Sequence, residues 1–160
     1  MHTYLNTGHW RGTGVRVIHV HDYIERRLRN RPRKLARWLK VRGLAFERWE
    51  ATGAVRFQVD PVPTGPSSTT IEPGYLKVVY RLSTVIGITG GYAAWSPWTG
   101  HVQGAITVLS RYAAFVHEVG HTLGLDHNFP DPTSVMSYSG EQQPNSHDIT
   151  SVNAVYAHND

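Results

Sequence analysis

The stretch His117-Glu118-Val119-Gly120-His121-Thr122-Leu123-Gly124-Leu125-Asp126-His127 reads HExxHxxGxxH, and it constrains this chain more than any other segment. Histidines four apart stand one turn from each other on the same face of a helix. Two imidazoles so placed can share one small metal ion. Glu118, beside the first of them, is placed to act on a water bound to that ion. Gly124 can end the helix because it tolerates a positive φ, and the turn after it lets His127 come back to the same ion. Three protein ligands and one open position are the layout of a catalytic zinc rather than a structural one. HExxH alone is short and occurs in helices that bind nothing. The extended form has five fixed positions, and at roughly one in twenty each it is improbable by accident in 160 residues.

At 160 residues, one domain spanning 1–160 is the expectation, with length enough for a real core. Apolar residues make up 40% and charged residues 18%, and no apolar run approaches a membrane span. Met1 to Trp10 has no apolar core of the signal-peptide kind, so export by that route is not expected unless the chain starts at a mature boundary. The absence of cysteine excludes disulfides and thiolate zinc ligands, and leaves the compartment open. Net charge is +4, and nine of the sixteen basic residues fall between Arg26 and Arg42. That run reads as the solvated face of a helix. A nucleic-acid patch is the other reading, but no aromatic residues interleave with the cations in the RNA-binding manner.

Val15 to Val20 alternates and is β-branched, which predicts a strand. Asp22 to Arg31 is charged and poorly periodic, with room for one short helical turn. Pro32 suits a first helical turn, and Leu35, Trp38, Leu39, Ala45, Phe46 and Trp49 recur at helical spacing over 32–51. Gly43 inside that stripe costs about 1 kcal/mol. Thr52-Gly53 stops the helix. Ala54 to Val59, Leu76 to Tyr80, Gly90 to Trp95 and Gly104 to Leu109 read as further strands, with a Pro/Ser/Thr/Gly loop from Pro61 to Gly74. Ser110 is the expected cap of the helix bearing His117 and His121, whose buried face is Phe115, Val119 and Leu123. Ser146 is the expected cap of a last helix with Ile149, Val152, Val155 and Tyr156 inside. His101, His147 and His158 lack ligand spacing and read as surface residues. His19 and His21 share a strand face, where surface or hydrogen-bonded core positions are expected ahead of a metal pair.

These segments together resemble the metzincin zinc endopeptidases, matrixins most closely. HEVGHTLGLDH is similar to the matrixin zinc sequence almost letter for letter. Ala45-Phe46-Glu47-Arg48-Trp49 with Val55-Arg56-Phe57 resembles the matrixin first helix and second strand. Gly91-Tyr92-Ala93-Ala94-Trp95-Ser96-Pro97 stands where the family has its edge strand, and Asp148 to Tyr156 looks like its closing helix. The resemblance covers about 15–157. It implies a three-layer α+β fold: a five-stranded mixed sheet backed by two helices, then the zinc helix, a methionine turn and a C-terminal helix. Ser134-Val135-Met136-Ser137-Tyr138 is similar to that methionine turn, nine residues past His127. It places Met136 as an apolar floor below the ligands. Ser137-Tyr138 in place of the matrixin Tyr-Pro resembles the astacin and serralysin pattern, which leaves Tyr138 between transition-state stabilisation and plain packing. Asn128 departs from the usual matrixin Ser or Thr. The family's loop for a second zinc and calcium is not recognisable between Tyr80 and Gly91, so one Zn2+ is expected and calcium stays open. The matrixin latency cysteine has no counterpart.

The expected chemistry is peptide hydrolysis. Neutral His117, His121 and His127 hold zinc; Glu118 takes a proton from the water and passes it to the leaving amine. Zinc, with Tyr138 in its transition-state role, stabilises the oxyanion. The resemblance implies a substrate strand on Gly91, Tyr92, Ala93, Ala94 and Trp95, a pocket lined by Tyr138, Ser139 and Gly140, and an extracellular setting. Spacing favours His127 over the adjacent Asp126 as third ligand. The expected partner is a peptide or protein substrate, on a monomer, with nucleic acid not expected. Two other classes stay open: a zinc- or peptide-binding module without turnover, and a nucleic-acid binder whose zinc is structural.

Overall fold

The computed structural model describes residues 9–24, 26–62, 71–80, 91–96, 101–102, 104–109, 114–139 and 141–157. Strand β1 is His9–Trp10, β2 Arg16–Ile24, helix α1 Arg26–Arg29, α2 Pro32–Glu50, β3 Val55–Val59 and β4 Tyr75–Tyr80. They are followed by β5 Gly91–Ser96, β6 His101–Val102, β7 Gly104–Leu109, α3 Phe115–Thr122 and α4 Ser146–Val155. The main sheet has five strands in the order β3-β2-β4-β7-β5. β2 is parallel to β3 and to β4, β4 is parallel to β7, and β5 alone runs antiparallel, with Gly91 opposite Leu109. β5 therefore closes the sheet as an edge strand. A two-stranded pairing of β1 with β6 lies outside the sequence expectation.

Strand β2 is longer than the alternating run suggests. It continues through His21, Asp22, Tyr23 and Ile24, which pair with Lys77 to Tyr80. These polar residues are tolerated because each finds a partner. On the face turned away from the helices, His21 Nδ1 lies 3.2 Å from Glu72 and Tyr23 donates to Glu72 at 2.8 Å. His19 Nδ1 lies 2.6 Å from Asp60, so both strand histidines engage carboxylates. On the other face Asp22 is ion-paired with Arg42 of α2 and accepts a hydrogen bond from Tyr80 at 2.9 Å. Burial pushes the Asp22 carboxyl up, and the Arg42 guanidinium opposes that shift. Arg42 thus pins α2 to the sheet, while Arg33, Lys34, Arg37 and Lys40 lie on the exposed face.

Helix α2 buries Trp38, Ala45, Phe46 and Trp49. This is most of the stripe anticipated from its spacing, with Leu35 and Leu39 only partly buried. Phe46 stacks on Phe57 of β3 at 4.2 Å and 10°. Gly53 follows the helix at φ 80°, a conformation an L side chain resists. Two indoles then hold α3 from below. Trp49 Nε1 donates to the Val116 carbonyl and Trp10 Nε1 to the Thr122 carbonyl, both at 2.9 Å. Thr122 lies in the last turn, where carbonyls lack helical partners, so Trp10 satisfies one of them.

Of two capping expectations, one changes and the other falls outside the described residues. Asn145, not Ser146, caps α4: its side chain accepts from the His147 and Asp148 amides, and Asp148 accepts from the Asn145 amide in return. This reciprocal box needs an acid three residues after the cap, and Asp148 is three after Asn145. Ser146 is accordingly the first helical residue. Ser110 lies outside the described residues; the residue preceding α3 is Ala114, which offers no side-chain cap. Ile149 is 36% exposed rather than inward, because the box rotates Asp148, Ser151, Val152 and Val155 to the buried side. No described helix is long and apolar enough to cross a membrane.

Candidate metal centre

The helix α3 carries His117 and His121 on one face, with Phe115, Val119 and Leu123 buried on another. It stops in a Schellman turn. Gly124 has φ 98°, the Gly124 amide donates to the His121 carbonyl at 3.1 Å, and the Leu125 amide donates to the Gly120 carbonyl at 3.2 Å. Leu125 is buried, which anchors the chain just past the turn. Two residues later His127 returns to the pair.

The three ring nitrogens converge. His121 Nε2 lies 3.1 Å from His117 Nε2 and 3.2 Å from His127 Nε2. The first of these contacts is not a hydrogen bond in the neutral rings. His117 Nδ1 donates to the Val135 carbonyl and His121 Nδ1 to the Leu125 carbonyl, each at 2.8 Å. A proton on Nδ1 leaves Nε2 with a bare lone pair. Burial also holds the His117 pKa below its ordinary value and takes His121 down to about 4, so both rings are neutral ligands near neutral pH. Tetrahedral zinc with nitrogens at about 2.0–2.1 Å would space them about 3.3 Å apart, close to the spacing found. The Nε2 lone pairs of His117 and His121 cannot bond one another, and with His127 Nε2 beside them they fit a cation between the three rings. Among the described residues this is the one group of three that could hold a metal. Asp126 is not in it: its carboxylate is 60% exposed, accepts from the His127 amide and stands 3.7 Å from His127 Nδ1.

Glu118 follows His117 directly and is only 8% exposed. Burial raises its carboxyl to about 7, the range for a group that takes and returns protons at neutral pH. Below the histidines runs the turn Ser134–Tyr138. Met136 is buried, and its Sδ would come within 2.5 Å of a Cβ on Gly120, so the turn presses against the middle of α3. The turn is held by α4. Asp148 accepts from the Ser134 hydroxyl and from the Val135 amide at 2.9 Å. The Asn128 amide donates to the Met136 carbonyl at 3.0 Å, and the Asn128 side chain lies 3.0 Å from His147 Nδ1. His147 is thus a partly buried partner of Asn128, not a free surface histidine, because the cap at Asn145 turns it toward the loop.

Tyr138 is 75% exposed, with its ring 4.9 Å from the His127 ring and 6.0 Å from that of His117. Ser139 is exposed beside it. Gly91 to Trp95 lie on the edge strand β5; Gly140, His158 and the whole of 81–90, the span without a recognisable second metal loop, lie outside the described residues. Sequence reading missed Phe129 and Asp148. Phe129 is a large apolar residue amid Asn, Pro and Asp, a weak signal that has no periodicity behind it. Asp148 carries a signal, the acid three residues after Asn145, which the choice of Ser146 as cap passes over.

No protein-family model matches the chain, and no curated protein matches it. Solved structures do. One is high choriolytic enzyme 1, a hatching enzyme zinc-protease from Oryzias latipes (Medaka fish), at TM-score 0.57 and 15% identity over 93% of this chain and 94% of that one. Another is myroilysin, at TM-score 0.55 and 15% identity over 99% of this chain and 100% of that one. The chain shares the overall fold of these two structures. The closer likeness to matrixins finds no support in these structures, and Ser137-Tyr138 after Met136 already departed from the matrixin pattern.

Proposed function

We propose that this chain is a zinc-dependent endopeptidase. The observation that carries the reading is the convergence of three imidazole Nε2 atoms with the buried carboxyl of Glu118 next to them in the chain. The metzincin fold and the zinc-protease neighbours point the same way. His117, His121 and His127 would hold the ion. Zinc bound there supplies Lewis acidity, which acidifies a water and polarises the scissile carbonyl. Glu118 accepts the proton of the attacking water and returns it to the leaving nitrogen. Its raised pKa suits both halves of that transfer. The carbonyls of Val135 and Leu125 keep His117 and His121 in the tautomer that offers Nε2.

The substrate is a peptide in extended form, with its main chain along β5 at Gly91 to Trp95. The edge position of β5 supports this, since an edge strand offers unpaired backbone groups. Ser139, exposed next to Tyr138, belongs to the substrate pocket, as does Gly140 by the sequence resemblance, and Tyr138 contributes to the developing oxyanion. Gly124 and Met136 support the ligands, the first by turning the chain and the second by flooring the site. The chain works as one domain and as a monomer.

A binding module without turnover is the main competitor. A buried carboxyl beside the first ligand costs stability and gives such a module nothing. A digest of a mixed peptide library separates the two. Purified protein should carry about one zinc and cleave internal bonds, and a chelator should abolish cleavage. Glu118→Ala should keep the zinc and lose at least a hundredfold in kcat. Undiminished cleavage by Glu118→Ala, or no cleavage by zinc-loaded wild type, would remove this reading.

A further inference from the structure

Phe129 has no part in the chemistry above, yet it lies against a proposed metal ligand. Its ring stacks on that of His127, with centroids 4.8 Å apart and planes at 16°. It also lies 5.0 Å from the ring of Tyr138 at 53°. Neither ring belongs to the buried core: Phe129 is 58% exposed and Tyr138 75%. Two large aromatic side chains held outside the core side by side form an apolar patch, and such patches mark contact sites more often than single exposed residues do.

The backbone holds Phe129 in place. Asn128 before it is buried and bonded through its amide to the Met136 carbonyl. Phe129 and Pro130 form the middle of a turn closed by the Asp131 amide, which donates to the Asn128 carbonyl at 3.3 Å, and Pro130 narrows the backbone choices of Phe129. One face of the ring is taken by His127, and much of the remainder faces solvent. The result is a rigid apolar ledge beside the metal centre that pays little ordering entropy when a ligand covers it.

On the endopeptidase reading above, we infer that Phe129 is a specificity-determining residue: with Tyr138 it receives a large apolar side chain, aromatic above all, from a substrate residue flanking the scissile bond. Ring-on-ring packing at 4.5–7 Å is the favourable geometry for such pairs. The ledge borders His127, so only residues near the cleaved bond reach it. Charged and glycine residues gain nothing there.

The test uses the zinc-loaded full chain and a peptide set differing only at the residues flanking the cleaved bond: Phe, Leu, Ala or Gly. Phe129→Ala should lower the Phe-over-Gly ratio of kcat/KM about tenfold, chiefly through KM, and Phe129→Leu should restore part of it. A ratio that stays at the wild-type value overturns the inference. So does a uniform loss across the set accompanied by weaker zinc retention in chelator competition, which would make Phe129 a prop for His127. The same preference is read without turnover from anisotropy of the labelled peptides on Glu118→Ala protein. There a tenfold weaker Phe preference on adding Phe129→Ala supports the inference, even if wild type cleaves nothing and the endopeptidase reading falls. An unaltered preference overturns it.

Discussion

Asp148 acts on His117 through a single residue. The Val135 amide donates to Asp148 Oδ2 at 2.9 Å, and the Val135 carbonyl accepts from His117 Nδ1 at 2.8 Å. The carboxylate on α4 therefore anchors the residue whose carbonyl orients the imidazole. Partners of this kind set ligand direction and basicity.

Asp148→Asn should weaken zinc binding about 10- to 100-fold in chelator competition. The amide keeps the shape but replaces an acceptor with a donor facing the Val135 amide or the Ser134 hydroxyl. Zinc affinity equal to wild type would show that Val135 holds its position without Asp148.

Gly120 lies between the two helical histidines, and a Cβ there would meet Met136 Sδ at 2.5 Å and the Trp49 ring at 2.9 Å. Gly120→Ala should cost about 1–3 kcal/mol of unfolding free energy by overpacking. Pairing it with Met136→Ala should recover part of that loss, since the thioether is the nearest obstacle. Urea titration of the single and double variants reads both effects.

Gly124→Ala should destabilise by about 1 kcal/mol or more, because φ 98° is unfavourable for any residue with a Cβ. The loss should be larger for zinc affinity than a distant surface change would give, since the turn returns His127. Calorimetry with and without zinc separates the two.

Acid should loosen the zinc-free protein through His121. Its folded pKa is about 4 against an ordinary 6.5, so between those values the unfolded chain binds a proton the folded chain does not. Stability is then full above pH 6.5 and falls as pH drops toward 4, by up to about 3 kcal/mol from this residue. Lowered His117 acts in the same direction. Glu118 opposes both: raised from 4.5 to about 7, it favours the folded state as pH falls through that window. Zinc-free Glu118→Gln should thus lose thermal stability more steeply than wild type between pH 6.5 and 4.5. Parallel melting profiles would contradict the assignment.

Tyr138→Phe should lower kcat about tenfold or more with little change in KM if its hydroxyl meets the oxyanion. A change confined to KM would leave Tyr138 as part of the apolar ledge with Phe129.

Local periodicity made most of the scaffold legible. The stripe ending in Trp49, the alternation of β2 and β3, and the stop at Gly124 each follow from a few neighbouring residues and a fixed period. Boundaries failed where partners lay elsewhere. Asp22 to Ile24 look like part of a charged, poorly periodic stretch until Val78 to Tyr80 are set beside them. Ile149 looks inward until the Asn145–Asp148 box sets the helix phase.

His117, Glu118, His121, Gly124 and His127 could be read in order because helical spacing and one glycine bring their side chains together within eleven residues. The tertiary structure alone supplied what steadies and surrounds them. Trp10 reaches the Thr122 carbonyl across 112 positions and Trp49 the Val116 carbonyl across 67, and neither link leaves a periodic trace in the chain. The Asp148 bond to the Val135 amide and the stacking of Phe129 on His127 likewise depend on how α4 and the loop after His127 fold back against α3. Spacing along a helix is a property of the local chain; the partners of its carbonyls and rings depend on which distant segments the core brings into contact.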